Sequence, residues 1–229
     1  MTQTVLITGA NRGIGLTFVE HYLQQGDNVI ACARQTQATS LQQLQQHYPE
    51  QLRLHALDVA DPNQLQMLPH ALASTRLDVV INNAGIYGPK GLPLGGISPV
   101  EFDQVMRTNV LAPLLMVQAL RPLLNHHSKI AILSSKMGSI ADNSSGGAYF
   151  YRASKSAVNA IGVSLARDLA SDGIAVALLH PGWVQTDMGG PAALIDTATS
   201  VAGMTKVLAQ LTLNQSGQFF NYDGSEILW

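Results

Sequence analysis

The chain of 229 residues carries a single cysteine, Cys32, so it cannot form an internal disulfide and the cystine-stapled frameworks of small secreted domains are excluded. Charge is scarce as well. Asp, Glu, Lys and Arg make up 12% of the residues, with 13 basic against 15 acidic side chains and a formal net charge of −2. No run of basic residues offers a polyanion a surface, so nucleic acid is not an expected partner. No apolar stretch reaches the roughly 18 residues needed to cross a bilayer, because Gly, Pro, Gln or a charge interrupts each one. The N-terminus enters a strand-like run without the apolar region and cleavage site of a signal peptide, and the expectation is a cytoplasmic protein with no membrane association. No G-x-S-x-G elbow of a hydrolase is present, and the seven histidines, His126 and His127 among them, show no metal-ligand spacing. No metal is expected.

What is abundant is apolar: 46% of the residues are hydrophobic, enough for a sizeable core. Short Val/Ile/Leu-rich runs alternate with longer segments of helical period, which is the pattern of repeated βαβ units. Strands are predicted over Thr4–Thr8, Asn28–Cys32, Leu52–Leu57, Leu77–Asn82, Lys129–Ser134, Ile174–Leu179 and Gly217–Asn221. Helices are predicted over Gly13–Gln25, Ser40–Tyr48, Asn63–Ala73, Pro99–Asn125, Tyr149–Asp172 and Thr197–Leu211. Near-continuous apolar strands suit a sheet covered on both faces. The fold class is therefore α/β: one domain over residues 1–229, a doubly wound parallel sheet of about seven strands with helices on both faces.

Directly after the first strand comes Thr8-Gly9-Ala10-Asn11-Arg12-Gly13-Ile14-Gly15, and the chain then turns helical. A strand, a glycine turn and a helix N-terminus in that order make an anion site, because backbone N–H groups approach a pyrophosphate closely and the helix dipole favours its charge. The same residues would also serve an ordinary tight βα turn. The spacing is not G-x-G-x-x-G, since three residues separate Gly9 from Gly13.

That T-G-x-x-x-G-I-G form, followed by Asn82-Asn83-Ala84-Gly85, by Asn109, by Tyr151-Arg152-Ala153-Ser154-Lys155 and by Pro181-Gly182-Trp183-Val184-Gln185-Thr186, resembles the short-chain dehydrogenase/reductase family along the whole chain. The compact length and the ending from Gly217 to Trp229 look most similar to its C-factor-like and sniffer-type carbonyl reductase branches. The resemblance implies a Rossmann fold binding a nicotinamide dinucleotide through Gly9, Asn11, Arg12, Gly13, Ile14 and Gly15, through Asn83, Ala84 and Gly85, and through Pro181, Gly182, Val184 and Thr186. Asp58, with its neighbour Val59, matches the family's adenine-contacting acid; capping the next turn is the plainer role for that aspartate.

The choice of dinucleotide turns on the residues beyond the second strand, Ala31-Cys32-Ala33-Arg34, where no acid stands to hold a ribose 2′-hydroxyl. Arg34 and Arg12 instead suit the 2′-phosphate of NADP(H). Tyr151 and Lys155 lie at i and i+4, so a helix places both on one face, where a nearby cation and an oxidised nicotinamide ring favour the phenolate. Tyr151 is then the general acid of carbonyl reduction and the base of alcohol oxidation. The rival Tyr149 has Ala153 at i+4. Ser134 and Ser135 end the fifth strand, on the side where a parallel sheet opens its ligand crevice. By resemblance Ser135 is the catalytic hydroxyl, with Ser139 as the alternative. Sixteen residues separate it from Tyr151, a longer loop than the family's commonest, for which Gly146 and Gly147 give room. Tyr151 and Lys155 also contact the cofactor in the family, and Asn109 there holds a water that links the lysine to solvent.

Trp183, Met188, Pro191 and Leu194, with Tyr87, suggest an apolar lid in a substrate loop near 183–200, with loop packing as the alternative. Cys32 reads as a small buried hydrophobe and His180 as a structural strand-end residue. Val110, Leu111, Leu114, Leu115, Val117 and Leu120 in one long helix, and Val158, Ile161, Val163, Leu165 and Leu169 in another, are more than a sheet-covering stripe needs. A homodimer or homotetramer through these helices is expected. The activity expected is NADPH-dependent reduction of a ketone or aldehyde, or its reverse, on a small-molecule substrate. A C-factor-type signalling or regulatory protein that binds a dinucleotide and turns over little is the alternative.

Overall fold

The computed structural model describes residues 2–73 and 75–229. Seven strands, β1 (Thr4–Thr8), β2 (Asn28–Ala33), β3 (Leu52–Ala56), β4 (Leu77–Asn82), β5 (Leu124–Leu133), β6 (Ala175–His180) and β7 (Phe219–Asn221), form one sheet. Its order is β3-β2-β1-β4-β5-β6-β7, and every pairing is parallel. The order reverses between β1 and β4, and in an open parallel sheet the crevice outside the strand ends opens at that switch point.

Successive strand residues face opposite sides, so each strand contributes to two cores. Val5, Ile7, Val79 and Ile81 pack on one side with Phe18 and Val19 of α1 (Gly13–Gln24) and with Met204 and Leu208 of α7 (Thr197–Gln210). Leu6, Val80, Ile130 and Ile132 pack on the other with Leu65 and Leu68 of α3 (Pro62–Ala71), Met116 and Leu120 of α5 (Ala112–Leu120), and Val158 and Leu165 of α6 (Tyr149–Asp168). The remaining helices are α2 (Thr39–His47) and α4 (Pro99–Met106). Side chains cap the starts of three helices: Asp61 accepts from Asn63 N of α3, Ser98 from Glu101 N of α4, and Asp196 from Thr199 N of α7.

Most predicted elements start and end within two residues of the observed ones. Three differ by more. The single helix expected over Pro99–Asn125 is α4, a π-helical turn over Arg107–Leu111, α5, and a 3-10 turn over Arg121–Leu123. Strand β5 starts five residues earlier than expected, passing through His127 at φ +73 with a register shift against Leu77 and Val79. Its last paired residue is Leu133, and Ser134 extends the ladder by donating its N–H to Leu179 O at 2.8 Å. The helix expected to reach Asp172 stops at Asp168 before a 3-10 turn over Ala170–Asp172. Among the described residues no helix is long and apolar enough to cross a membrane.

More than half of the apolar residues that make these helix stripes wider than sheet cover needs belong to the core. Val110, Val117, Leu120, Val158, Leu165 and Leu169 are all buried, while Leu111 is exposed and Leu114, Leu115, Ile161 and Val163 keep part of their surface. A helix between a sheet and its neighbours needs a broad apolar stripe.

Candidate active site

Beyond β1 the backbone makes a cradle that depends on missing side chains. Gly9 and Gly13 hold φ of +65 and +53, and a Cβ on Gly15 would lie 2.2 Å from the Gly9 carbonyl oxygen. Helix α1 begins at Gly13, its N-cap Arg12 is extended, and among the described residues no side chain caps its first amides. The first turn holds no acid, so these amides face the crevice with no partner from a side chain, which fits a dinucleotide phosphate. Asn83 braces the cradle from β4: its Nδ2 donates to Thr8 O (2.8 Å) and Gly9 O (3.2 Å), while Thr8 Oγ1 accepts from both Asn83 N and Ala84 N at 3.0 Å. The side chain of Asn83 thus shapes the turn. Asn11 is partly exposed, and Ile14 packs against the core beneath.

Thr186 closes the cradle from above, its methyl group 3.3 Å from where a Gly13 Cβ would be. It stands in the segment that leaves β6 through Pro181 and Gly182 (φ +86) and folds back where Val184 bridges Ile195. Trp183, Met188 and Leu194 are exposed there, and the Trp183 ring N–H donates to Gly189 O at 2.8 Å. At the adenosine end Arg34 is exposed just past β2, with no ion pair among the described residues, while Arg12 pairs with Asp187. Asp58 Oδ1 accepts from Ala60 N at 2.9 Å, the turn-capping role, and Val59 packs against the core.

On the far side of the crevice α6 presents Tyr151 and Lys155 together. Lys155 is buried, its Nζ donates to Leu133 O at 2.7 Å, and it lies 5.5 Å from the centre of the Tyr151 ring. Burial pulls the Lys155 ammonium down to about 8. Burial also pushes the Tyr151 phenol up to about 12, against a hydrogen bond with Ser135 that lowers it. The sequence predicts a phenol made more acidic by the lysine together with an oxidised nicotinamide ring. In the chain by itself desolvation dominates, and the phenol stays protonated.

The Ser135 partnership separates the two serine candidates. Ser135 is the hydroxyl that acts on the Tyr151 phenol, lowering it, and its Oγ accepts from Met137 N at 3.2 Å, whereas Ser139 Oγ accepts from Asp142 N at 3.1 Å. Ser134 turns away to Asn159 Oδ1, at 2.5 Å. Tyr149, the rival tyrosine, is 44% exposed at the start of α6. The loop before it passes through Gly146, Gly147 and Ala148, all at positive φ, and is gathered by the Arg152 guanidinium, which reaches Ser145 Oγ, Gly146 O and Met137 O.

Asn109 sits in the π-helical turn, buried, and grips the backbone of Ile86 from both sides: Nδ2 donates to Ile86 O at 2.8 Å and Oδ1 accepts from Ile86 N at 2.9 Å. A Cβ on Gly85 would lie 3.3 Å from Asn109 Oδ1 and 3.7 Å from Lys155 Nζ, so these three meet at one point. The family model described as short chain dehydrogenase matches residues 3–194. The chain belongs to the short-chain dehydrogenase/reductase family.

Within this family the chain is 43% identical to the C-signal protein of Myxococcus xanthus over 155 residues, 67% of this chain and 93% of that one. It is similar in structure to an NADPH-bound carbonyl reductase from chicken fatty liver, with a TM-score of 0.90, 34% identity, and coverage of 100% of this chain and 99% of that one. The carbonyl reductase Sniffer of D. melanogaster matches with a TM-score of 0.93 and 32% identity, covering 100% of both chains. The protein is accordingly an NAD(P)-dependent oxidoreductase.

Three features of this family member escape a reading of the sequence alone. Tyr87 lies flat on Tyr151, with ring centres 4.6 Å apart. Lys90 Nζ stands 5.5 Å from the centre of the Tyr87 ring and donates to Met188 O at 3.1 Å. Asp187 meets Arg12 across the crevice mouth. Each feature joins distant segments, and only the Tyr87 ring had a signal, its place just after Asn-Asn-Ala-Gly. His180 is half-buried at the end of β6 with Nδ1 lacking a partner among the described residues, and burial, then Lys136, pulls its imidazole down to about 4. Burial pushes the Cys32 thiol up to about 12, which leaves it unreactive.

Proposed function

We propose that the protein reduces ketones or aldehydes to alcohols, or catalyses the reverse, as a single NADP-binding domain spanning residues 1–229 with its substrate loop near 183–200. The observation that carries this reading is the convergence of buried Ser135, just past β5, with Tyr151 and buried Lys155 on α6, the Lys155 Nζ 5.5 Å from the centre of the Tyr151 ring. The Ser135 hydroxyl donates to the substrate oxygen and stabilises the charge developing on it. Tyr151 delivers its proton to that oxygen, and Lys155 orients the ribose and supports the phenol as its proton leaves. Asn109 holds the Ile86 backbone in place and keeps a water path to Lys155 open. NADPH, when bound, supplies the hydride.

The cradle is read as the seat of the dinucleotide: Gly9, Asn11, Gly13, Ile14 and Gly15 carry the pyrophosphate, and Ala84 and Gly85, with Asn83 behind them, line its floor. Pro181, Gly182, Val184 and Thr186 hold the nicotinamide end, and Asp58 with Val59 the adenine. Arg12 and Arg34 meet the 2′-phosphate, which is the basis for preferring NADP(H). Purified protein oxidising NADPH over a panel of aliphatic and aromatic aldehydes and ketones is the test. Turnover with NADPH above that with NADH is expected; tight NADPH binding without turnover on any carbonyl overturns it.

The similarity to the C-signal protein favours a second reading, in which dinucleotide occupancy rather than turnover is the output, and that same negative result would select it. We also propose a homodimer or homotetramer through Leu111, Leu114, Leu115, Ile161 and Val163, the apolar residues with remaining surface on the two long helical segments. Light scattering on the eluting protein at micromolar concentration should give at least twice the chain mass. A monomer overturns this proposal.

A further inference from the structure

The segment over the crevice is tied down at two adjacent residues. Met188 O accepts from Lys90 on the catalytic side, and Asp187 forms an ion pair with Arg12 on the cofactor side. Arg12 is the N-cap of α1, at the edge of the glycine cradle, and the next contact along the segment is the Thr186 methyl beside Gly13. Both members of the pair are largely in water, with side chains 68% and 77% exposed, so water competes for the pairing and holds it weakly. The arginine that the sequence sets aside for a 2′-phosphate is therefore already engaged by a carboxylate.

We propose that Asp187 is a specificity-determining residue whose carboxylate competes with the 2′-phosphate of NADP(H) for the Arg12 guanidinium. The inference rests on the reading of Arg12 as a 2′-phosphate partner. A carboxylate and a phosphate dianion drawn to one guanidinium repel each other, and the phosphate carries the greater charge. NADP(H) displaces Asp187; NAD(H), with a neutral 2′-hydroxyl, leaves the pair intact. Asp187 thus lowers affinity for the phosphorylated cofactor alone, and arrival of the 2′-phosphate removes one of the ties on this segment while the Lys90 contact to Met188 O stays.

Titration calorimetry of NADP+ and NAD+ into the full chain tests this with Asp187→Asn, Arg12→Gln and the double variant. Asp187→Asn is expected to tighten NADP+ about fivefold and leave NAD+ unchanged. In the Arg12→Gln background the same change should have no effect on NADP+. Both side chains are exposed, and matching melting temperatures would show that the variants are folded. Weakened or unaltered NADP+ binding in Asp187→Asn, equal tightening of both cofactors, or the same gain without Arg12 would each overturn the competition. If Arg12→Gln itself leaves NADP+ affinity unaltered, the 2′-phosphate reading fails and the competition falls with it. If Arg12→Gln weakens NADP+ while Asp187→Asn does nothing, only the competition fails.

Discussion

The two ends of the crevice are made of different materials. At the β1–α1 turn the geometry belongs to the backbone, with glycines at positive φ, one carbonyl against Gly15, and Asn83 and Thr8 stitching two loops together. At the α6 face it belongs to side chains held in unfavourable surroundings: a lysine and a tyrosine whose charged forms burial disfavours. A cradle of backbone tolerates no added atom but carries no proton. A face of side chains tolerates conservative changes of shape, yet its chemistry rests on single hydroxyls and amines. Changes at the first end should thus act on stability and cofactor affinity together, and changes at the second on rate with the fold intact.

The largest expected effect is at the second end. Tyr151→Phe should lower kcat/KM for carbonyl reduction by about 10²–10⁴-fold while the variant still folds and binds cofactor, and Tyr149→Phe stays near the parent. Equal losses in the two variants would remove the assignment of the proton donor. Gly15→Ala attacks the other end: a Cβ 2.2 Å from the Gly9 carbonyl must displace backbone. The overpacking cost of about 1–3 kcal/mol should appear as a melting temperature lower by roughly 2–12 °C and as weaker NADP(H) binding. A variant that melts normally and binds normally would mean that the cradle is not rigid. The mildest test uses pH. Lys155 loses its proton above about 8 while Tyr151, at about 12, keeps its own. Reductive kcat/KM should therefore be level at neutral pH and fall above about 8, approaching tenfold per unit. A profile that stays level to about pH 10 would show that the ammonium charge is not used.

The backbone end was also the more legible in the sequence. Glycines at Gly9, Gly13 and Gly15 after an apolar strand carry their geometry in their composition, and β1, β4 and the start of α6 fall where periodicity puts them. The π-helical turn left no such trace. Nothing between Arg107 and Leu111 breaks a helix, and the turn coincides with the grip of Asn109 on Ile86, 23 residues away. The hydrogen bond from Lys155 to Leu133 O was hidden for a related reason: a spacing of i and i+4 shows that a cation is near, not where its protons go. Asp187 lies 175 positions from Arg12, beyond the reach of any local pattern.

The reversal of strand order has a kinetic side. On one flank Val5 of β1 pairs with Val29 of β2, a separation of 24 positions, and on the other with Val79 of β4, a separation of 74. Closing the longer of these two loops costs about 1 kcal/mol more chain entropy, since the penalty grows with the logarithm of loop length. The seam between β1 and β4 is thus the costlier of the two for the chain to close, and it is the seam along which the crevice runs. A dinucleotide bridging the Gly9 turn and the Gly85 loop would bind only after the seam has closed, and so would add its binding free energy to the folded state. Of the two pairings of β1, the one that costs more chain entropy is in this way the one that a bound dinucleotide would hold shut.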